Sequence, residues 1–202
     1  MPARPKIITK VLESIYPLHD DVVAIKFIER GYYKRALELL GNWKRILEVG
    51  CGTGRLLEVA RENGKPLWGL DISLKFLKIS KERFKDYPAD FVYGTATNLP
   101  FRSNSFDGVL TFTMIHHLTK EEKIQMIEEI AKLSDKYAFG EVGKRICWSA
   151  ILLKIIGSKD LISKELFKKA GMKIERWEDP KGFCLIIGLA RRLSGPVRRD
   201  AR

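Results

Sequence analysis

Residues 46–55, Ile-Leu-Glu-Val-Gly-Cys-Gly-Thr-Gly-Arg, narrow the choice of fold more than any other stretch of the chain. A short apolar run that opens into glycines reads as a buried strand entering a turn, and the pattern from Arg55 onward reads as the helix that follows. Glycine has no Cβ, so a turn carrying Gly50, Gly52 and Gly54 lets backbone approach a ligand closely, where other sequences manage a strand-to-helix turn with fewer. In an open α/β sheet ligands bind beyond the carboxyl ends of the strands, and the first such turn is the usual place. Two familiar uses of the turn do not fit. A dinucleotide fingerprint needs a glycine three residues after its second, and counting from Gly52 that place is held by Arg55. A phosphate loop needs Lys and then Ser or Thr after its last glycine, whereas Arg55 and Leu56 follow Gly54.

From about residue 45 strand and helix signals alternate. Strand patterns fall at 45–49, 67–70, 91–93, 108–113, 137–142, 172–177 and 183–190. Helices are expected over 55–63, ended by Gly64 in a left-handed conformation, and from a Ser73 cap to about Lys85. Two more run from a Thr119/Glu122 capping box to about Leu133 and from a Ser163 cap to Gly171. Ahead of the first strand, Asp20 and Asp21 can start a helix carrying Val23, Phe27 and Ile28. Gly31 is placed to break it, 36–40 resumes it and Gly41 stops it. Parallel strands need crossover helices, which the early alternation supplies; only a turn at 180–182 separates the last two strands, so they must pair antiparallel. The expected fold is α/β, a seven-stranded mixed sheet of six parallel strands and one antiparallel strand, with helices on both faces and a helical N-terminal lead-in.

Asp71 stands seventeen residues after Gly54, at the end of the second strand. A carboxylate there lies beside the glycine turn and can accept both hydroxyls of a ribose through charge-assisted hydrogen bonds. Turn and carboxylate together point to an adenosine without phosphates. At this point the chain resembles the class I, Rossmann-like S-adenosylmethionine-dependent methyltransferases. The resemblance is carried by Glu48, Gly50, Gly52 and Gly54, by Asp71, by the run from Gly94 to Phe101, by Ser105, Phe106 and Asp107, and by Ile115, His116, His117 and Leu118. It spans roughly residues 45–190. It implies S-adenosylmethionine as cofactor, S-adenosylhomocysteine as product, and a cofactor site built from Glu48, Gly50, Cys51, Gly52, Gly54, Asp71, Ile72, Thr95, Ala96, Thr111 and Phe112. One departure stands out. Where the family often has an acidic residue reading the adenine amino group this chain has Thr95, a weaker acceptor, although the Ala96 amide can still meet the ring. The implied division is a helical cover at 1–42, a methyltransferase domain at 43–190 and a basic tail at 191–202.

Methyl transfer from a sulfonium asks mainly for an acceptor held in line and kept dry, so few catalytic side chains are needed. The expected pocket wall near strands four and five comprises Thr111, Phe112, Met114, His117 and Glu141. His117 is the candidate general base, against the commoner role of a histidine that packs or bonds locally before a helix cap. Cys51 reads as a packed thiol rather than a nucleophile. Tyr16, Tyr32 and Tyr33 belong to the lead-in, where core packing is the commoner role and contact with cofactor or substrate the sharper one.

Composition bounds the partners. The net charge is +12, and residues 191–202 hold five arginines against one aspartate, so +4 of it lies there. Such a charge attracts RNA, phosphorylated metabolites or acidic membranes without choosing among them. One Gln and four Asn beside abundant Lys, Glu and Ile also fit the solvated surface of a thermophile protein. Cys51, Cys147 and Cys184 lack paired spacing, so neither a disulfide framework nor a metal site is expected, and a cytoplasmic setting fits. No stretch reaches the ~18 apolar residues of a membrane span, and no secretory leader is read at the start. The apolar stretch 146–156 reads first as a helix on the sheet, with an apolar substrate pocket, a homodimer contact or a membrane-surface contact as alternatives. Three functions are weighed: a methyltransferase for a small molecule or lipid, one for tRNA, rRNA or an RNP-associated protein, and a non-catalytic cofactor-binding partner subunit. Residues 111–114 lack the Asn-Pro-Pro-Tyr type run of amino-methylating nucleic-acid enzymes.

Overall fold

The computed structural model describes residues 23–142, 162–179 and 185–193. Helix α1 (Val23–Leu40) leads into strand β1 (Ile46–Val49), helix α2 (Arg55–Ala60) with a 3-10 turn at Arg61–Asn63, and strand β2 (Leu67–Asp71). Helix α3 (Leu74–Arg83), strand β3 (Ala89–Tyr93) and strand β4 (Gly108–Phe112) follow, then a 3-10 turn at Ile115–His117 and helix α4 (Lys120–Leu133). Strand β5 (Lys136–Val142), helix α5 (Lys164–Lys169), strand β6 (Met172–Glu178) and strand β7 (Leu185–Arg192) complete the order. The sheet runs β3-β2-β1-β4-β5-β7-β6. Strands β1 to β5 pair in parallel, and β7 is antiparallel to both β5 and β6. Six strands therefore point one way and one is reversed, as the missing crossover before the last strand requires.

All five residues of β4 are buried, as expected of a central parallel strand covered on both faces. On one face Leu37 and Leu40 of α1, Leu56 and Leu57 of α2 and Leu77 of α3 pack over Ile46, Leu67 and Leu110. On the other, Met126, Ile127 and Ile130 of α4 and Phe167 of α5 pack over Leu47, Val109 and Phe139. Full burial of each such side chain contributes roughly 1.5–3 kcal/mol. The connection between β3 and β4 lays Leu99 and Phe101 on this second face in place of a helix. Its last residue, Asp107, accepts the amides of Lys44 and Arg45 at 2.8 Å each. Burial opposes the charge, but these two amides hold the Asp107 carboxyl below its usual range and so pin the start of β1.

The local signals hold in most places. Ser73 accepts the Phe76 amide at 3.2 Å and Thr119/Glu122 form both bonds of a capping box. Gly41, Gly64 and Gly171 end their helices at positive φ. Two expectations are corrected. Gly31 does not break the first helix, which is continuous over Val23–Leu40; one interior glycine costs ~1 kcal/mol, less than burial of Tyr33, Ala36, Leu37 and Leu40 returns. Ser163 precedes α5 in extended conformation but its side chain makes no capping bond. Strand β7 runs to Arg192, so Arg191 pairs with Glu175 and Arg192 with Asp135 and Asn104. Asp20, Asp21, Tyr16, Cys147, Cys184, the 146–156 stretch, the 180–182 turn and the tail from Ser194 lie outside the described residues. Among those described, no helix is long and apolar enough to cross a membrane.

Candidate active site

The turn after β1 is held by backbone bonds to β2. The amides of Gly50 and Cys51 both donate to the Leu70 carbonyl, at 2.7 and 3.0 Å, and that of Gly54 to the Cys51 carbonyl at 2.8 Å. Gly50, Gly52 and Gly54 have φ of 76°, 52° and 80°, the left-handed region that favours glycine. A Cβ on Gly52 would meet nothing within 4 Å, so this glycine faces open space, whereas one on Gly50 would stand 2.4 Å from Met114 Cγ. The first is a backbone open to a ligand; the second is a close approach to the turn after β4.

Asp71 ties the turn to the next helix. Its Oδ2 accepts the Gly52 amide and its Oδ1 the Ser73 amide, both at 2.8 Å. Ser80 of α3 donates to the Gly52 carbonyl at 2.9 Å, a contact that sequence reasoning missed because a serine inside a helix carries no signal of where it points. Beside Asp71, Ile72 is 58% exposed, an apolar side chain held at the surface next to a carboxylate. Glu48 is buried, and one of its oxygens has no hydrogen-bond partner. Burial, and then the charge of Asp71, push its carboxyl well above the ordinary range, against the one backbone amide, of Leu57, that draws it down. Cys51 is buried and free, and burial followed by Asp71 and Glu48 push its thiol up too, so a nucleophilic thiolate is disfavoured.

The remaining candidates divide. Thr95 is exposed and its hydroxyl is 3.0 Å from that of Thr97, inside a turn closed by the Asn98 amide on the Thr95 carbonyl; Ala96 packs half-buried against the core. On β4, Thr111 and Phe112 turn to opposite faces. The Thr111 hydroxyl lies in the core, 2.6 Å from the Tyr137 hydroxyl, and the Phe112 ring meets Tyr33 edge-on at 4.6 Å. Tyr33 is thereby a core residue, and half-buried Tyr32 packs against the same cluster, with burial pushing its hydroxyl up. The side chain over the glycine turn is Met114. His117 is half-buried, its ring 4.0 Å from that of buried His116. Among the described residues no cluster of His, Cys, Asp and Glu is set to hold a metal.

A mixed α/β sheet with a left-handed glycine turn after β1 and a carboxylate bracing it from β2 defines a Rossmann-like ligand-binding protein. Residues 46–136 match the family described as a methyltransferase domain, a match that supports a class I, Rossmann-like methyltransferase. It is similar to a demethylmenaquinone methyltransferase of Renibacterium salmoninarum, 31% identical over 125 residues that cover 59% of this chain and 52% of the relative. It is also similar to an 18S rRNA (guanine-N(7))-methyltransferase of Schizosaccharomyces pombe, 32% identical over 101 residues covering 49% of this chain and 38% of the relative. The chain thus spans about half or less of these relatives' length. Among solved structures, the cyclase SpnF shares the fold with a TM-score of 0.75 at 19% identity, over 96% of this chain and 99% of that one.

The site fits the family's cofactor on its own geometry: an open glycine backbone, a carboxylate beside it with the acceptor capacity for a ribose diol, an exposed apolar Ile72 for a ring face, and in Glu48 a buried carboxyl oxygen without a hydrogen-bond partner.

Proposed function

We propose that the protein is an S-adenosylmethionine-dependent methyltransferase acting on a small molecule or lipid. The observation that carries the cofactor reading is the Asp71 bridge: one carboxylate braces Gly52 and Ser73 at 2.8 Å each, so the ribose acceptor and the glycine backbone form one preorganised unit. In this reading Gly52 and Gly54 give the cofactor backbone to lie against, Asp71 accepts its ribose hydroxyls, Ile72 covers its adenine, and Thr95 and Ala96 edge the ring. Backbone at Thr111 and Phe112 closes the floor, since both side chains serve the core. The bound cofactor supplies a methyl group already activated on a sulfonium. The chain's task is then to orient an acceptor at the ends of β4 and β5 and to exclude water, and His117 takes the acceptor's proton where the acceptor is a hydroxyl or ammonium group.

Support for a small molecule or lipid comes from the similarity to the demethylmenaquinone methyltransferase and from the apolar 146–156 stretch. The net charge of +12 and the similarity to the 18S rRNA enzyme favour RNA as the second reading. Engagement of Arg191 and Arg192 within the fold removes two charges from the tail that this reading needs. The purified chain, incubated with methyl-labelled cofactor and a fractionated cell extract, is expected to label the lipid or small-molecule fraction. Label in RNA would replace the first reading by the second, and no label in any fraction would overturn both.

A further inference from the structure

The turn after β4 carries an arrangement that the cofactor turn does not use. Thr113 sits at φ 48°, a left-handed conformation costly for a β-branched residue, with its amide donating to the Gly140 carbonyl at 2.8 Å. Such a conformation costs of order 1–3 kcal/mol and persists only where its surroundings over-determine it. Glu141, the next residue of β5, does so. One carboxylate oxygen accepts the amides of Ile115 at 2.7 Å and His116 at 3.3 Å, and the other lies 2.7 Å from His116 Nδ1. Both side chains are buried. The same turn holds Met114 over Gly50 on one side and the His117 ring against His116 on the other.

We infer that Glu141 is the positioning residue of the acceptor side, fixing through His116 and two amides the 113–117 turn that sets Met114 beside the glycine turn and carries His117. This rests on the proposed methyl transfer, to which it adds the part that aims the acceptor. The chemistry of Glu141 suits the task. A carboxylate has no proton to donate and about four lone-pair sites, of which three N–H groups take three here, so it imposes a proton on His116 Nδ1 and a single turn geometry. A glutamine at the same place keeps a carbonyl oxygen for the two amides but sets its NH2 against Nδ1, which must then accept.

The test uses the full chain with 15N-labelled histidine. In the native protein His116 is expected to carry a proton on Nδ1, and in Glu141→Gln to lose it. Cofactor affinity, read by titration calorimetry with S-adenosylmethionine, should change much less than the transfer rate, because the bonds of Glu141 to Ile115 and His116 reach the glycine turn only through Met114. Methyl label passed to the accepting extract fraction should fall about 10- to 100-fold in rate, the usual consequence of a misaimed acceptor. A native His116 without a proton on Nδ1 overturns the inference, as does a variant with a moved proton and the native transfer rate. Native protein that fails to bind the cofactor would strike the proposed function instead, and the histidine signal would still decide the role of Glu141.

Discussion

At the ends of β1 and β2 the contacts that matter are made by backbone: amides of residues 50, 51, 52 and 54 are each assigned, and one carboxylate joins them to α3. At the ends of β4 and β5 they are made by side chains, with Glu141 binding His116 and two amides inside a turn that holds Thr113 at positive φ. A backbone site recognises a cofactor of fixed shape and needs little from side chains beyond glycine and one acid. A side-chain site can be retuned residue by residue, which suits acceptors that differ across a family. Gly50 and Met114 form the join between the two, since a Cβ on the glycine would stand 2.4 Å from Met114 Cγ.

The largest stability effect is expected on the side-chain half. Glu141→Ala leaves His116 and two amides without their acceptor in a buried setting, a loss of about 3 kcal/mol. At roughly 2–4 °C per kcal/mol for a chain of this size, the melting temperature should drop by about 10 °C. A drop under 2 °C would show that water or a neighbour replaces the carboxylate. Next comes the join. Gly50→Ala combines a left-handed φ with the clash on Met114, and should cost about 2 kcal/mol in denaturant unfolding. Adding Met114→Ala should recover the steric part and leave about 1 kcal/mol of backbone cost; no recovery would mean that the two halves are not coupled there.

On the backbone half the smallest and most diagnostic change is Glu48→Gln. Because the folded carboxyl is raised, folding binds a proton that the unfolded chain releases, so the contribution of Glu48 to stability is greatest below the ordinary carboxylate range and falls as pH climbs through and above it. The cofactor-free variant should melt with the native protein near pH 4 and about 2–4 °C above it near pH 8, a gain of about 1 kcal/mol. Parallel melting curves across that range would show that Glu48 is charged in the empty fold.

The same contrast explains what could be read in the sequence. Antiparallel pairing at the reversed edge follows from the few residues between the last two strand patterns, and the Thr119/Glu122 box and the Ser73 cap are local patterns that local bonds satisfy. The glycine turn was legible because left-handed backbone selects one residue type, and Asp71 because its place at a strand end is fixed by the fold. The Glu141 contact to His116 joins residues 25 apart along the chain through a loop of unusual φ, and no periodicity announces either. His117 therefore drew notice as the candidate base, while its buried neighbour carries the geometry. Thr111 and Phe112 illustrate the other limit: position on β4 sets them near the end of the strand, but alternation and packing partners send both side chains into the core.

The central claim is that the glycine turn and Asp71 form one cofactor-binding unit. Titration calorimetry with S-adenosylmethionine, comparing the native chain with Asp71→Ala under conditions where both are folded, tests it most directly. Loss of charge-assisted bonds together with release of the Gly52 and Ser73 amides should weaken binding at least about 100-fold, or about 3 kcal/mol. Equal affinity for the two proteins, or no binding by the native chain, would contradict the claim.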